Sequence, residues 1–486
     1  MESDNKNMIK GKLIPLLRAF SKEEFKSFGD FVSSPYFNKE RVLIDLYRIL
    51  KQDYPGFSSK GFEKEAIYEL LFPGKKYNDS IFRNTFSKML RLSEKFLYVN
   101  HLGNDNFHRR LFLLEEFKLK KQEGLFVKHK AEADRFTESN LIKNEDYFLK
   151  KYLLENLNDE FRKITKNFMV LTNKEEAGSF EYLSNSFLIS ILKANASIIN
   201  SNKNFFGEQL NLILFDEIES YLLKNPDLLA SNLYLRYYYY SIKIFQSNDD
   251  KYFFELRDII NNEIESLGIV DRKNILTTLT NYSYYRINNG ELKFVDEQFK
   301  LYKLNIEKKL YKGDRDFLSH IFFMNVVTTG LDAGEFEWVE DFINRYYDEL
   351  KSEHRANMFN FSFSLLHLRK KNYDKAIEFA SKIVSDDLSY KHQLKSFYLK
   401  LYYELNEDQP FYSHIDSYRH FVKNDKLLSE NSREYIMNYI LFSKKLFDLK
   451  NAPDKDEFEI QSLKKEITHH KSLINKLWLL KKMNDL

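Results

Sequence analysis

The chain has no cysteine. That excludes disulfides, thiolate nucleophiles and every cysteine-ligated zinc or iron–sulfur site. Glycine and proline are scarce, at 14 and 7 in 486 residues, less than half their usual shares of about 7% and 5%. Hairpins, bulges and sheet corners consume both residue types. Their scarcity therefore argues against a large β domain and against a dinucleotide-binding α/β fold. Long apolar runs are missing too. The stretch 187–192 is interrupted by Ser190 and falls far short of the ~18–20 apolar residues of a membrane-spanning helix. Residues 1–10, MESDNKNMIK, hold neither an apolar core nor a small-residue cleavage site, which argues against a secretory signal. The expectation is a cytoplasmic protein with no membrane partner.

A large excess of one charge is also absent. Lys+Arg 75 against Asp+Glu 72 leaves +3, too little for a polyanion-binding field over the whole surface. The balance is uneven, however. Residues 1–100 carry 18 basic and 13 acidic side chains, or +5, and the remainder is −2.

What is present is aromatic and helical. Phe 44 and Tyr 32 supply much apolar surface per residue, although both have AT-rich codons and genome composition alone would enrich them. Ser21-Lys22-Glu23-Glu24 reads as a capping box, opening a helix that buries Phe25, Phe28, Phe31 and Val32 and stops before Pro35. Asn38 is the expected cap of the next helix. Pro73-Gly74 closes a third, and Asn78 or Asp79 caps a longer one at about 80–99. Gly103-Asn104-Asp105-Asn106 reads as a linker. Helical hairpins are expected over 107–224, with polar breaks at 172–179 and 201–204, and Pro226 starts the next helix.

From about residue 228 helical pairs recur. Their turns are Asn248-Asp249-Asp250, Asn289-Gly290-Glu291, Ala333-Gly334-Glu335, Lys371-Asn372 and Glu407-Asp408, each followed by an anchor: Phe253, Leu292, Phe336, Tyr373 and Tyr412. A period near 40 filled by two helices predicts stacked hairpins, because one hairpin cannot bury its own apolar face. Residues 456–486 read as one long capping helix, with Trp478 against the last hairpin. Its seam Ile460, Leu463, Ile467, His470, Ile474, Leu477 has heptad spacing, and homodimerisation through that seam is the other expectation.

Lys371-Asn372-Tyr373-Asp374-Lys375-Ala376-Ile377-Glu378 resembles the turn and second-helix start of a tetratricopeptide repeat, with Ala376 as the small residue that lets paired helices approach. The blocks starting at Gly334 and Gly290 are looser copies. The resemblance covers about 230–450. It implies an irregular helical-hairpin solenoid whose first helices form a concave groove for a peptide or protein partner. In the better-fitting copies it points to Thr280, Tyr284, Met324 and Thr328. The expected fold class is thus all-α: an N-terminal helical module at 1–102, hairpins at 107–224, tetratricopeptide-like repeats at 228–450 and a cap at 456–486.

A second, weaker resemblance lies at 65–97. A helix ending in Leu71-Phe72-Pro73-Gly74, a polar turn and a second helix are similar in outline to the DNA-binding head of some bacterial activators. Arg83, Ser87, Arg91 and Lys95 share one face of that helix at i, i+4 spacing. Phe82, Phe86, Met89, Phe96 and Leu97 fall on the other. Arg83, Arg91 and Lys95 are the candidate nucleic-acid contacts, since a recognition helix needs such a face for phosphates and base edges. No strand-turn-strand wing follows them.

Catalytic and metal motifs are not found. No Gly-x-Gly-x-x-Gly, Gly-x-Ser-x-Gly or His-Glu-x-x-His occurs, and His469-His470 point about 100° apart on a helix. No catalytic residue, metal ligand or cofactor contact is assigned. Tyr237-Tyr238-Tyr239-Tyr240 covers a whole helix circumference. It reads either as a helix buried between two layers or as an aromatic wall for a peptide. Together these readings predict a non-enzymatic binding scaffold, with a nucleic-acid-binding regulator using the helix at 80–98 as the alternative.

Overall fold

The structure, a computed structural model, describes residues 9, 11–58, 62–165, 173–204, 211–247, 249–312, 317–384, 388–426, 428–454 and 456–486. Asn248 of the first expected turn lies outside them, as do nearly all of residues 1–10. The regular structure of the described residues is helical. They contain no strand, and one isolated bridge joins Leu318 to Leu350. The all-α expectation therefore holds. The chain divides into two compact units, Met1–Asn140 with Leu149–Tyr182, and Leu141–Phe148 with Leu183–Leu486.

The first unit contains α1 (Leu13–Arg18), α2 (Lys22–Ser33), α3 (Arg41–Gln52), α4 (Lys64–Leu71), α5 (Asp79–Asn104), α6 (Asn106–Leu119) and α7 (Glu123–Glu138). It also holds most of α8 (Glu145–Thr165) and the start of α9 (Asn173–Asn204). The capping box of α2 is formed: the Glu24 amide donates to Ser21 Oγ at 3.1 Å, and the Ser21 amide donates to Glu24 Oε2 at 2.7 Å. Its apolar face enters a core with Leu17, Leu46, Leu50 and Met89. Tyr47 lies so close to Gly29 that a Cβ there would sit 2.4 Å from the ring.

Three local expectations are corrected. Asn38 does not cap α3, whose first turn begins after Glu40. Its carboxamide instead donates to Val32 O and Glu40 O and accepts from the Glu40 amide, knitting the connection. Gly103 and Asn104 are not a linker but the last turn of α5. Asp105 then accepts from the Phe107 and His108 amides and opens α6 at once. Of the expected polar breaks at 172–179 and 201–204, residue 172 lies outside the described residues, and the rest is helical, since α9 runs from Asn173 to its end at Asn204.

The second unit continues with α10 (Phe215–Lys224), α11 (Pro226–Ser231), α12 (Leu233–Gln246), α13 (Asp250–Glu263), α14 (Ile269–Asn288), α15 (Lys293–Glu307) and α16 (His320–Asp332). Beyond these come α17 (Phe336–Tyr346), α18 (Ser352–Arg369), α19 (Tyr373–Ser381), α20 (Leu388–Leu405), α21 (Asp408–Asn424), α22 (Glu430–Lys450), α23 (Glu457–His469) and α24 (Lys476–Asn484). Consecutive helices pack in pairs: α12 with α13, α14 with α15, α16 with α17, α18 with α19 and α20 with α21.

Four of these pairs turn in the same way. Gly290, Gly334, Lys371 and Asn406 each adopt φ between 56° and 92°. In each turn two amides close back on the first helix. Glu291 and Gly290 donate to Arg286 O and Ile287 O, Glu335 and Gly334 to Gly330 O and Leu331 O. Asn372 and Lys371 donate to His367 O and Leu368 O, Glu407 and Asn406 to Tyr402 O and Tyr403 O. This double closure satisfies carbonyls that a helix end leaves free, and it requires one left-handed residue. It also fixes the entry of the second helix. The fifth residue after each left-handed position is buried against the first helix: Val295, Val339, Ala376 and Phe411. The expected anchors Leu292, Phe336 and Tyr373 are half-buried, and Tyr412 is at the exposed rim. Phe253 is fully buried as expected.

The C-terminal segment is two helices, not one. The seam spacing continues through His470, but the backbone leaves the helix there and re-enters after Asn475, which is left-handed at φ 53°. Ile460, Leu463 and Ile467 are buried in this chain's own core. Trp478 is buried, with its ring 5.1 Å from Tyr403 and 6.1 Å from Tyr439.

Candidate functional site

The recurrent turns bring corresponding side chains into rows. Six residues before each left-handed position stand Tyr284, Thr328, Leu365 and Lys400, and all four line one groove of about 750 Å³. Two residues before it stand Asn288, Asp332 and Arg369, which line the same groove. Nine before it, Asn281 and Asn325 do so as well. The α23–α24 connection and the start of α24 supply the remaining wall with Asn475, Lys476, Leu477 and Trp478. Of the residues to which the tetratricopeptide resemblance points, Thr280, Tyr284 and Thr328 lie on the groove. Met324 packs into the core instead, and its neighbour Asn325 faces the groove.

The groove has two characters. Toward α14 and α16 it presents carboxamides, hydroxyls and exposed apolar edges: Asn281, Asn288, Asn325, Tyr284 and Ile321. The Thr280 and Thr328 hydroxyls donate to Leu276 O and Met324 O of their own helices. That leaves their oxygens as acceptors. The carboxamide oxygen of Asn305 is buried on the groove wall with no hydrogen-bond partner among the described residues. Burial pushes the Tyr302 phenol up to about 12, against a hydrogen bond with Asn325.

Toward α18, α20 and α24 the groove is cationic. Arg369 and Lys400 face Asp332, the one carboxylate among the described lining residues, and Lys476 lines the same groove. Asp332 pairs with Arg369 through Oδ1, and Lys481 donates to its carbonyl at 2.6 Å while lying 3.8 Å from its carboxylate. Lys400 Nζ donates to the neutral Asn475 Oδ1 at 2.7 Å, and Asn475 Nδ2 donates to Ser396 Oγ at 3.2 Å. Lys476 Nζ donates to Thr468 O and His470 O. Burial pulls the Lys400 ammonium down to about 7. The neighbouring Arg369 charge adds to the fall and Asp332 opposes it. Burial also lowers Lys476 and Lys481. Sequence reading did not find Lys400, which carries no local motif. Its signal is its position six residues before Asn406, visible only once the left-handed turns are in register.

The other candidates settle differently. Arg83, Arg91 and Lys95 do lie on the face of α5 opposite its buried Phe82, Phe86, Met89 and Phe96. Arg83 pairs with Asp79 at 2.7 Å, Lys95 lies 5.3 Å over the Phe37 ring, and Arg91 is exposed. The tyrosine run is core: Tyr237, Tyr238 and Tyr239 are buried and Tyr240 half-buried. Tyr238 and Tyr234 donate to the two oxygens of the buried Asp271 at 2.7 and 3.2 Å. Tyr239 donates to Glu219 at 2.9 Å. Hydroxyls so placed hold helices together and leave no aromatic wall for a ligand. Among the described residues no group of three His, Asp or Glu is disposed to hold a metal, and no helix is long and apolar enough to cross a membrane. Compared with family models, with curated proteins and with solved structures, the chain finds no match.

Proposed function

We propose that the protein is a non-enzymatic binding scaffold of irregular tetratricopeptide-like hairpins, with the groove along α14, α16, α18 and α20 as its binding surface for an extended peptide segment of a partner. The observation that carries this reading is the row Tyr284, Thr328, Leu365 and Lys400, one side chain from each of four successive first helices on one surface. A side chain repeated at fixed register along a groove suits an extended ligand better than a compact one. The wall chemistry agrees. Asn281 and Asn325 each offer a donor and an acceptor, the pairing a peptide amide needs, and Tyr284 gives large contact area at low entropy cost.

The test is site-specific photocrosslinking in extract of the native cell. A benzophenone amino acid is placed at Tyr284 or Thr328, and at the exposed Lys300 on α15 as control. The same discrete protein adduct at both groove positions, absent from Lys300, is expected. Equal labelling at all three positions, or none, overturns the reading.

A further inference from the structure

We infer that the cationic end of the groove is a binding site for a small tetrahedral dianion, a phosphate or sulfate group, held by Lys400 and Arg369 with Lys476 and Lys481 beside them. The inference goes beyond the scaffold reading and does not need it, because the site is made by the end of the groove alone.

Charge is the first argument. Asp332 on α16 is the carboxylate that faces Arg369 on α18, Lys400 on α20 and Lys481 on α24. Asp296 on α15 adds a weaker attraction for Lys481. Glu404 on α20 is already paired with Lys482 at 3.0 Å, which Asp485 also reaches at 2.9 Å. With Lys476 of the same groove counted, four cations stand against Asp332 and Asp296, a surplus of about two positive charges when Lys400 is protonated. Buried charge of one sign is strongly disfavoured without a partner, and a dianion matches the surplus where a monoanion leaves it half met.

Hydrogen bonding is the second argument. An ammonium has three donors. The Lys400 amine donates to the neutral Asn475 oxygen, and the Lys476 amine to two backbone carbonyls. Arg369 uses one Nη on Asp332. Guanidinium and ammonium groups bind tetrahedral oxyanions through short charge-assisted bonds. Lys400, Arg369 and Lys476 all line the open groove, so such a ligand has a path in. Its arrival also stabilises the protonated form of Lys400, whose amine is otherwise held near neutrality by burial.

Sulfate is the probe, because it stays a dianion from pH 6 to 9 and any proton taken up on binding belongs to the protein. The full chain is titrated with sodium sulfate by calorimetry at pH 7.5 and constant ionic strength, in two buffers of different ionisation heat. Saturable binding with uptake of a fraction of a proton is expected. Lys400→Met weakens it by about tenfold or more, the loss of one charge-assisted hydrogen bond. Lys400→Arg keeps binding and abolishes the proton uptake, since arginine is always charged. A chain that binds no sulfate, binds it equally well as Lys400→Met, or takes up the same proton as Lys400→Arg overturns the inference. Glycerol phosphate in a parallel titration separates the sources: tighter binding than sulfate assigns the site to a phosphorylated small molecule, and equal binding to the free ion. None of these outcomes touches the crosslinking test, which reads the opposite end of the groove.

Discussion

Replacing Lys400 by methionine should make the protein more stable, and by an amount that depends on pH. Methionine keeps the length and volume of the lysine stem and removes the charge. In the folded protein burial lowers the amine from 10.5 to about 7; in the unfolded chain it titrates near its ordinary value. A base whose folded pKa is depressed penalises folding fully at pH values below the folded pKa. The penalty fades as pH rises from about 7 toward 10.5. In that window the unfolded state binds the extra proton, so stability rises by about 1.4 kcal/mol per pH unit. The whole displacement corresponds to about 5 kcal/mol, and groove water reaching this half-buried side chain reduces it to about 2–4. Loss of the bond to Asn475 returns about 1 kcal/mol. Lys400→Met is therefore expected to be more stable than the parent by about 1–3 kcal/mol at pH 6.5, with the gap mostly closed at pH 9.

Both tryptophans, Trp338 and Trp478, belong to the second unit, and Lys400 Nζ lies 5.8 Å over the Trp478 ring. Urea unfolding followed by tryptophan emission at pH 6.5, 7.5 and 9 therefore reports the part of the chain that holds Lys400. Lys476 and Lys481, also lowered by burial, act in the same direction and are common to both proteins. The buried phenols act oppositely, but only above pH 10, where unfolded tyrosine ionises and Tyr234, Tyr238 and Tyr282, raised by burial, do not. The parent midpoint should climb with pH and the variant midpoint should climb less. Parallel pH profiles, or a variant less stable than the parent at pH 6.5, would refute the reasoning.

Four further outcomes test other parts of the structure. Gly330→Ala places a Cβ 2.5 Å from Val339 Cγ2 and 3.0 Å from Phe299 Cε2, so thermal unfolding should show a loss of about 1–3 kcal/mol, partly restored by Val339→Ala. Asn195→Ala removes a fully buried carboxamide that donates to Ile213 O at 2.8 Å and accepts from its amide at 2.7 Å. A loss of about 2–4 kcal/mol and faster hydrogen exchange at Ile213 are expected, and unchanged exchange would contradict the clamp. Tyr238→Phe leaves the buried Asp271 with Tyr234 alone and should cost about 1.5–3 kcal/mol, a change absent from Tyr240→Phe. Arg83→Ala, Arg91→Ala and Lys95→Ala together should leave the salt dependence of duplex DNA binding unchanged; a slope reduced by about two or three would establish this face as the nucleic-acid site.

Features set by neighbouring residues are legible in the sequence. The capping box at Ser21, the Asn78 cap of α5 and the two faces of that helix are each fixed by residues within one or two turns of each other. Polar composition misled at 103–106 and 201–204, because polar residues are equally at home on an exposed helix face, and the Asp105 cap joins α5 to α6 without a loop. The break before α24 had no local sign. Isoleucine and leucine spacing runs on as if the helix did, and what holds Asn475 in the left-handed region is its carboxamide between Lys400 and Ser396, 75 and 79 residues away. A constraint that distant leaves no trace in a window of helical length.

The groove was half legible for the same reason. Small or flexible residues at the turns, Gly290 and Gly334, announce themselves, and counting from them gives Tyr284 and Thr328. Lys371 and Asn406 perform the same left-handed closure without a glycine. The sequence places turns at Lys371-Asn372 and Glu407-Asp408, but only the backbone shows which residue of each is left-handed, and only then does counting back six residues reach Leu365 and Lys400. The groove-facing residues of these two copies, Arg369 and Lys400, are the ones that carry the charge. Asn288 and Asp332 in the next row are followed by Arg369, so the groove changes from carboxamide to cation along successive helices while its backbone register stays constant. The hairpins thus repeat in geometry and differ in chemistry. That combination makes one surface neutral along one wall and cationic at its end, and it explains why side-chain periodicity alone understates the regularity of the turns beneath it.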